Sequence, residues 1–121
     1  MHVLGGTGPV GNCVGLLAAL CGAEVYLVSK RGEREAQASA DICNARYGVN
    51  LRGAAGGEPG EIAAILNTSE VLFNAAKAGV RLVELTMLAG ARRLLVAADA
   101  NAVPPSGIEA VSYTHLRAHE T

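Results

Sequence analysis

Within its first dozen residues the chain sets Gly6, Gly8 and Gly11 in a G-x-G-x-x-G spacing. The spacing falls between a short apolar run ending in Val3-Leu4 and a helical pattern opening at Pro9 and Val10, the context in which it holds a pyrophosphate. Gly6 would permit a tight turn, Gly8 would let backbone approach an anion with no Cβ in the way, and Gly11 would let the helix settle against its strand. The start of that helix adds N–H groups without intrahelical partners and the positive end of the helix dipole. The plainer alternative is that these glycines only turn the chain. No Gly-Lys-Ser/Thr follows, which excludes a P-loop.

The second group is Ser29-Lys30-Arg31, at the end of the second apolar run. An NAD site usually carries an Asp or Glu there to bind the ribose 2′-hydroxyl. A carboxylate would repel a 2′-phosphate, whereas a hydroxyl followed by two cations can bond and neutralise it, the Arg bidentately. NADP is therefore expected over NAD, the alternative being ordinary solvated charges. Asn74-Ala75-Ala76-Lys77 and Ala98-Asp99-Ala100-Asn101 close two further apolar runs, on the rim where such sheets bind ligands. Asp99 and Asn101 have two readings, as groups orienting a ligand or as turn formers. No residue supplies acid–base chemistry convincingly, so no catalytic residue is assigned. Tyr26 and Lys30 have the spacing of the short-chain dehydrogenase dyad but belong to the cofactor strand. His115 and His119 are spaced i, i+4, but two ligands without a third make no metal site.

These residues need elements to place them. Val10, Val14, Leu17, Ala18 and Cys21 predict an amphipathic helix with that stripe inward, closed by Gly22. Glu24 to Val28 reads as a strand and Arg31 to Arg46 as a more solvated helix with Ala36, Ala40 and Cys43 inward. Val49 to Ala55 is a weak strand, Glu61 to Asn67 a short helix, Val71 to Asn74 a strand, Val80 to Ala89 a helix and Leu94 to Ala98 a strand. The alternation predicts an α/β fold: a Rossmann-type, doubly wound parallel sheet of about five strands. Residues 1–111 form that domain, expected to be truncated at both ends. Residues 112–121 are polar, break the pattern and resemble translated adapter sequence, so they are read as a non-native tail.

With 121 residues, half of them apolar, the chain is sized for one domain. Ten Lys and Arg against eleven Asp and Glu leave no excess charge for nucleic acid or a membrane surface. No apolar stretch reaches the length of a bilayer span. Three cysteines, an odd number, and the lack of a secretory leader point to a reducing, cytoplasmic setting with the thiols as small core residues.

Three stretches, Val3 to Gly11, Asn44 to Asn50 and Ala98 to Ile108, together resemble the NADP-binding domain of the bacterial methylene-tetrahydromethanopterin dehydrogenases and their methylene-tetrahydrofolate relatives. The likeness runs over roughly residues 3 to 110. It implies an oxidoreductase of one-carbon metabolism that passes hydride from a methylene-tetrahydropterin to NADP. By position, Thr7, Gly8, Pro9 and Val10 would contact the pyrophosphate, Ser29, Lys30 and Arg31 the 2′-phosphate, and Ala75, Ala76 and Asn101 the ribose and nicotinamide. The family's pterin site lies mostly in segments outside this stretch, so the chain is expected to bind cofactor without catalysing alone, and to form a homo-oligomer when full length. A coenzyme F420-dependent NADP reductase and a non-catalytic NmrA-like NADP sensor share the glycine turn and stand as alternatives.

Overall fold

The computed structural model describes residues 1–77, 82–100 and 108. Strands and helices alternate: β1 (His2–Leu4), α1 (Pro9–Leu20), β2 (Tyr26–Ser29), α2 (Glu33–Tyr47), β3 (Arg52–Ala55), α3 (Pro59–Thr68), β4 (Val71–Asn74), α4 (Leu85–Leu88) and β5 (Val96–Asp99). The strands form one sheet in the order β3-β2-β1-β4-β5, and every pairing is parallel. This is a Rossmann-like α/β arrangement in which the strand order reverses beside β1. The expected helix Val80–Ala89 lies partly outside the described residues; Asn101, His115, His119 and the 112–121 tail lie wholly outside them.

Alternation along each strand divides the interior into two layers. Leu4, Val28 and Leu72 face the side covered by α3, where Ile62, Ile65 and Leu66 meet them with Val83 and Ile108. Val3 and Leu27 face the opposite side with Val25, Ala40, Cys43 and Leu51, and Phe73 packs against them. Both faces of the short strands are thus covered, as a parallel sheet requires.

Helix α1 does not bury the stripe its hydropathy predicts. Val10 and Leu17 are more than half exposed, and Cys21 is exposed. The buried residues of α1 are Gly11 and Gly15, with Leu16, Ala18 and Ala19 packed beside them. A Cβ on Gly15 would lie 2.6 Å from Leu27 Cδ2, and one on Gly11 would lie 2.9 Å from Gly6 Cα. At Gly11 and Gly15 the helix lies so close to the sheet that a side chain would collide, and Val10, Leu17 and Cys21 of the stripe turn outward while Ala18 stays on the core side. The thiols divide likewise: Cys13 and Cys21 are exposed and only Cys43 joins the core, where burial pushes its pKa up against the opposing pull of Arg46.

Edge strand β3, Arg-Gly-Ala-Ala, has little apolar drive of its own. Side chains of α2 hold it: Asn44 donates Nδ2–H to Leu51 O (2.9 Å) and accepts from Leu51 N–H (2.7 Å), while Gln37 Oε1 accepts from Gly53 N–H (2.9 Å).

At the far end of β1, buried His2 stacks on Tyr26 with ring centroids 4.8 Å apart, and its Nδ1 has no partner among the described residues. Burial, aided by the nearby amino terminus, lowers its pKa from 6.5 to about 4. Protonation therefore favours the unfolded chain, so stability is full above about pH 6.5 and declines as pH falls toward 4. The expected loss is about 1–2 kcal/mol, the terminal amine being solvated and screened. Urea midpoints between pH 7 and 4.5 should show the decline in the wild-type chain and a flatter profile in His2→Phe; parallel profiles would contradict it.

Candidate functional site

The loops that follow β1, β2 and β4 converge at the carboxyl edge of the sheet. The register sets Leu4 beside both Val28 and Asn74, so these strands end side by side. In the first turn the left-handed residue is Gly5, with φ 67°. The tight turn expected of Gly6 therefore belongs to Gly5. Gly6 instead answers to close packing, since a Cβ there would lie 2.8 Å from Leu27 Cα, and its N–H donates to Val28 O at 3.1 Å.

Gly8 differs from both. The nearest atom to a Cβ built on it is Gly5 O at 3.6 Å, an ordinary contact, so the protein itself would accept alanine there. What glycine does at this position is leave bare backbone on the cleft. Gly8 N–H donates to Gly5 O (3.2 Å) and Gly8 O accepts from Asn12 N–H (2.9 Å), which fixes the turn. Pro9 opens α1, no side chain caps that end, and its first turn carries no acidic residue. Its N–H groups and positive pole are thus left for an anion.

The cleft has a volume of about 450 Å³. Thr7 and Gly8 line it from the first turn, Ser29, Lys30 and Arg31 from the end of β2, and Ala75, Ala76 and Lys77 from the end of β4. Among the described residues its lining holds three cations and no carboxylate. Gly6 and Gly11 sit behind the turn as packing residues. Pro9 faces a second hollow, between α1 and α2, and Val10 is solvent-exposed. Asn101 lies outside the described residues.

The β2 corner is built around Ser29, which is buried. Its Oγ accepts from Arg31 N–H (3.1 Å), and its carbonyl accepts from Gly32 N–H (3.2 Å) and Gly56 N–H (3.0 Å). Ser29 therefore folds the corner as well as lining the cleft, and its hydroxyl hydrogen stays available to donate.

Two positioning residues had not been singled out as site residues. Lys77 is the third cation of the lining. Asn74 is fully buried: Oδ1 accepts from Ala76 N–H (3.1 Å) and Nδ2 donates to Asp99 Oδ1 (3.1 Å), while Asp99 Oδ2 accepts from Ile108 N–H (3.1 Å). Asp99 thus ties Asn74 to Ile108, a part that neither of its two readings described. The signal for Asn74 was an amide closing an otherwise apolar run.

No cluster of metal-ligating residues occurs among the described residues, and no described helix is long and apolar enough to cross a membrane. No family model matches the chain. A curated relative, the NAD(P)-dependent methylenetetrahydromethanopterin dehydrogenase of Methylorubrum extorquens, is 34% identical over 109 residues, which is 90% of this chain. The chain spans 37% of that relative's length. The resemblance carried by the glycine turn and the two later stretches thus holds: over nine-tenths of its length the chain is similar to part of a methylenetetrahydromethanopterin dehydrogenase.

Proposed function

We propose that the chain is the NADP-binding part of a dehydrogenase that takes hydride from a methylene-tetrahydropterin, methylene-tetrahydromethanopterin or methylene-tetrahydrofolate. One observation carries the reading: the bare turn before α1 and the Ser29-Lys30-Arg31 corner open into the same cleft, whose described lining carries no carboxylate. NADP needs both at once, the turn and helix end for its pyrophosphate and the cations for its 2′-phosphate. The name of the relative, which says NAD(P), supports the cofactor class, and its pterin substrate supports the reaction.

In this reading Thr7 and Gly8 meet the pyrophosphate in the cleft and Pro9 and Val10 adjoin it from the start of α1, outside that lining. Gly6 and Gly11 keep the turn seated on the sheet, and Ser29, Lys30 and Arg31 grip the 2′-phosphate. Ala75, Ala76 and Asn101 lie along the ribose and nicotinamide. The nicotinamide, when bound, supplies the hydride-accepting chemistry. The residues of this chain bind and orient it; none in the cleft lining is assigned acid–base work, so turnover is proposed to need surfaces beyond this cleft.

Titration with NADPH and NADH tests the reading. The wild-type chain is expected to bind NADPH the more tightly, and Lys30→Ala and Arg31→Ala each to weaken NADPH about tenfold, the effect of one lost charge-assisted hydrogen bond, with NADH little changed. Equal affinity of the wild-type chain for both would remove the NADP assignment.

A further inference from the structure

The turn between β3 and α3 touches the β2 corner from behind. Gly56 N–H donates to Ser29 O (3.0 Å), and the next residue, Gly57, rests on the Lys30 peptide. A Cβ on Gly57 would meet Lys30 O well inside van der Waals contact, with Lys30 C at 3.2 Å and Lys30 Cα at 3.3 Å. Gly57 has no left-handed φ, so its backbone would suit any residue, and the only demand for glycine comes from Lys30. The turn is exposed on its outer side but is tied down by hydrogen bonds. Glu61 Oε1 accepts from both Gly57 N–H (3.1 Å) and Glu58 N–H (2.9 Å), holding it against the start of α3.

We propose that Gly57 is a specificity-determining positioning residue, whose missing side chain fixes where the Lys30 backbone runs and so where its ammonium and the Arg31 guanidinium meet a 2′-phosphate. This rests on the NADP reading above. A side chain at position 57 would push the Lys30 peptide, because the turn behind it is pinned. The displacement falls on the two cations and spares the glycine turn, which lies on another loop. The signature is therefore a change in discrimination between cofactors, which a merely structural glycine would not produce.

The test compares NADPH and NADH binding to the wild-type chain, Gly57→Ala and Gly60→Ala. Gly60 lies three residues on, and a Cβ there meets nothing within 4 Å, so Gly60→Ala is the control for altering this segment. Gly57→Ala is expected to weaken NADPH about tenfold, as for one lost charge-assisted bond, while NADH binding and the Gly60→Ala values stay at wild type. An unchanged NADPH preference in Gly57→Ala overturns the inference alone. So does equal loss of both cofactors, or a variant that no longer folds, since each makes Gly57 a residue of the scaffold. A wild-type chain without NADPH preference overturns the reading beneath it as well.

Discussion

Gly5→Ala is expected to destabilise the chain by about 2–5 kcal/mol, adding the cost of a left-handed non-glycine residue to that of an overpacked contact. With φ at 67° the position is unfavourable for any L side chain. A Cβ there would also lie 2.5 Å from Ala76 Cα and 2.6 Å from Ala76 N, which are backbone atoms that no rotamer change can move aside. The same contact joins the first turn to the loop after β4, so the variant should lose binding of NADPH and NADH together even where it remains folded. Urea unfolding with an unchanged slope and a lowered midpoint would show the effect. A midpoint within about 0.5 kcal/mol of wild type, the range of an ordinary surface substitution, would refute it.

Asn74→Ala carries the second large effect, about 2–4 kcal/mol, because it removes two hydrogen bonds from a fully buried amide and breaks a connected network. Ala76 N–H loses this acceptor, and Asp99 Oδ1 loses this donor. Since Ala75 and Ala76 line the cleft, both cofactors should bind more weakly with their ratio unchanged. That outcome separates Asn74 from Lys30, whose loss alters the ratio. Thermal or urea unfolding measures the stability, and the paired titration measures the binding; a variant as stable as wild type would show that the amide bonds contribute little.

The order of elements was legible because Gly or Pro lies at or near at least one end of each helix and every strand but β3 is part of an apolar run. The glycine spacing marked its turn, and the two cations marked the corner, since both are local in sequence. What hydropathy could not show was the docking of α1. Its contact line is written in Gly11 and Gly15, which score as neutral, so the pattern of Val10, Leu17 and Cys21 pointed to the wrong face. Cys21 was misplaced for the same reason, and Cys13, outside that stripe, because a cysteine count does not say which face a thiol takes. The reassignment of the tight turn from Gly6 to Gly5 needed φ angles. Gly57 and Asn74 act on loops distant in sequence, and nothing in the local pattern tells a turn glycine from one pressed against a neighbouring peptide.

The position of β1 bears on how the cleft comes into being. This three-residue strand lies between β2 and β4, and its partner β4 arrives only after three intervening helices, β2 and β3 have been laid down. Pairing β1 with β4 closes a long loop, whose entropy opposes the step until the contact of Gly5 with Ala76 can repay it. The turn after β1 is therefore among the first segments in the chain, yet its final shape depends on a strand that follows three helices later.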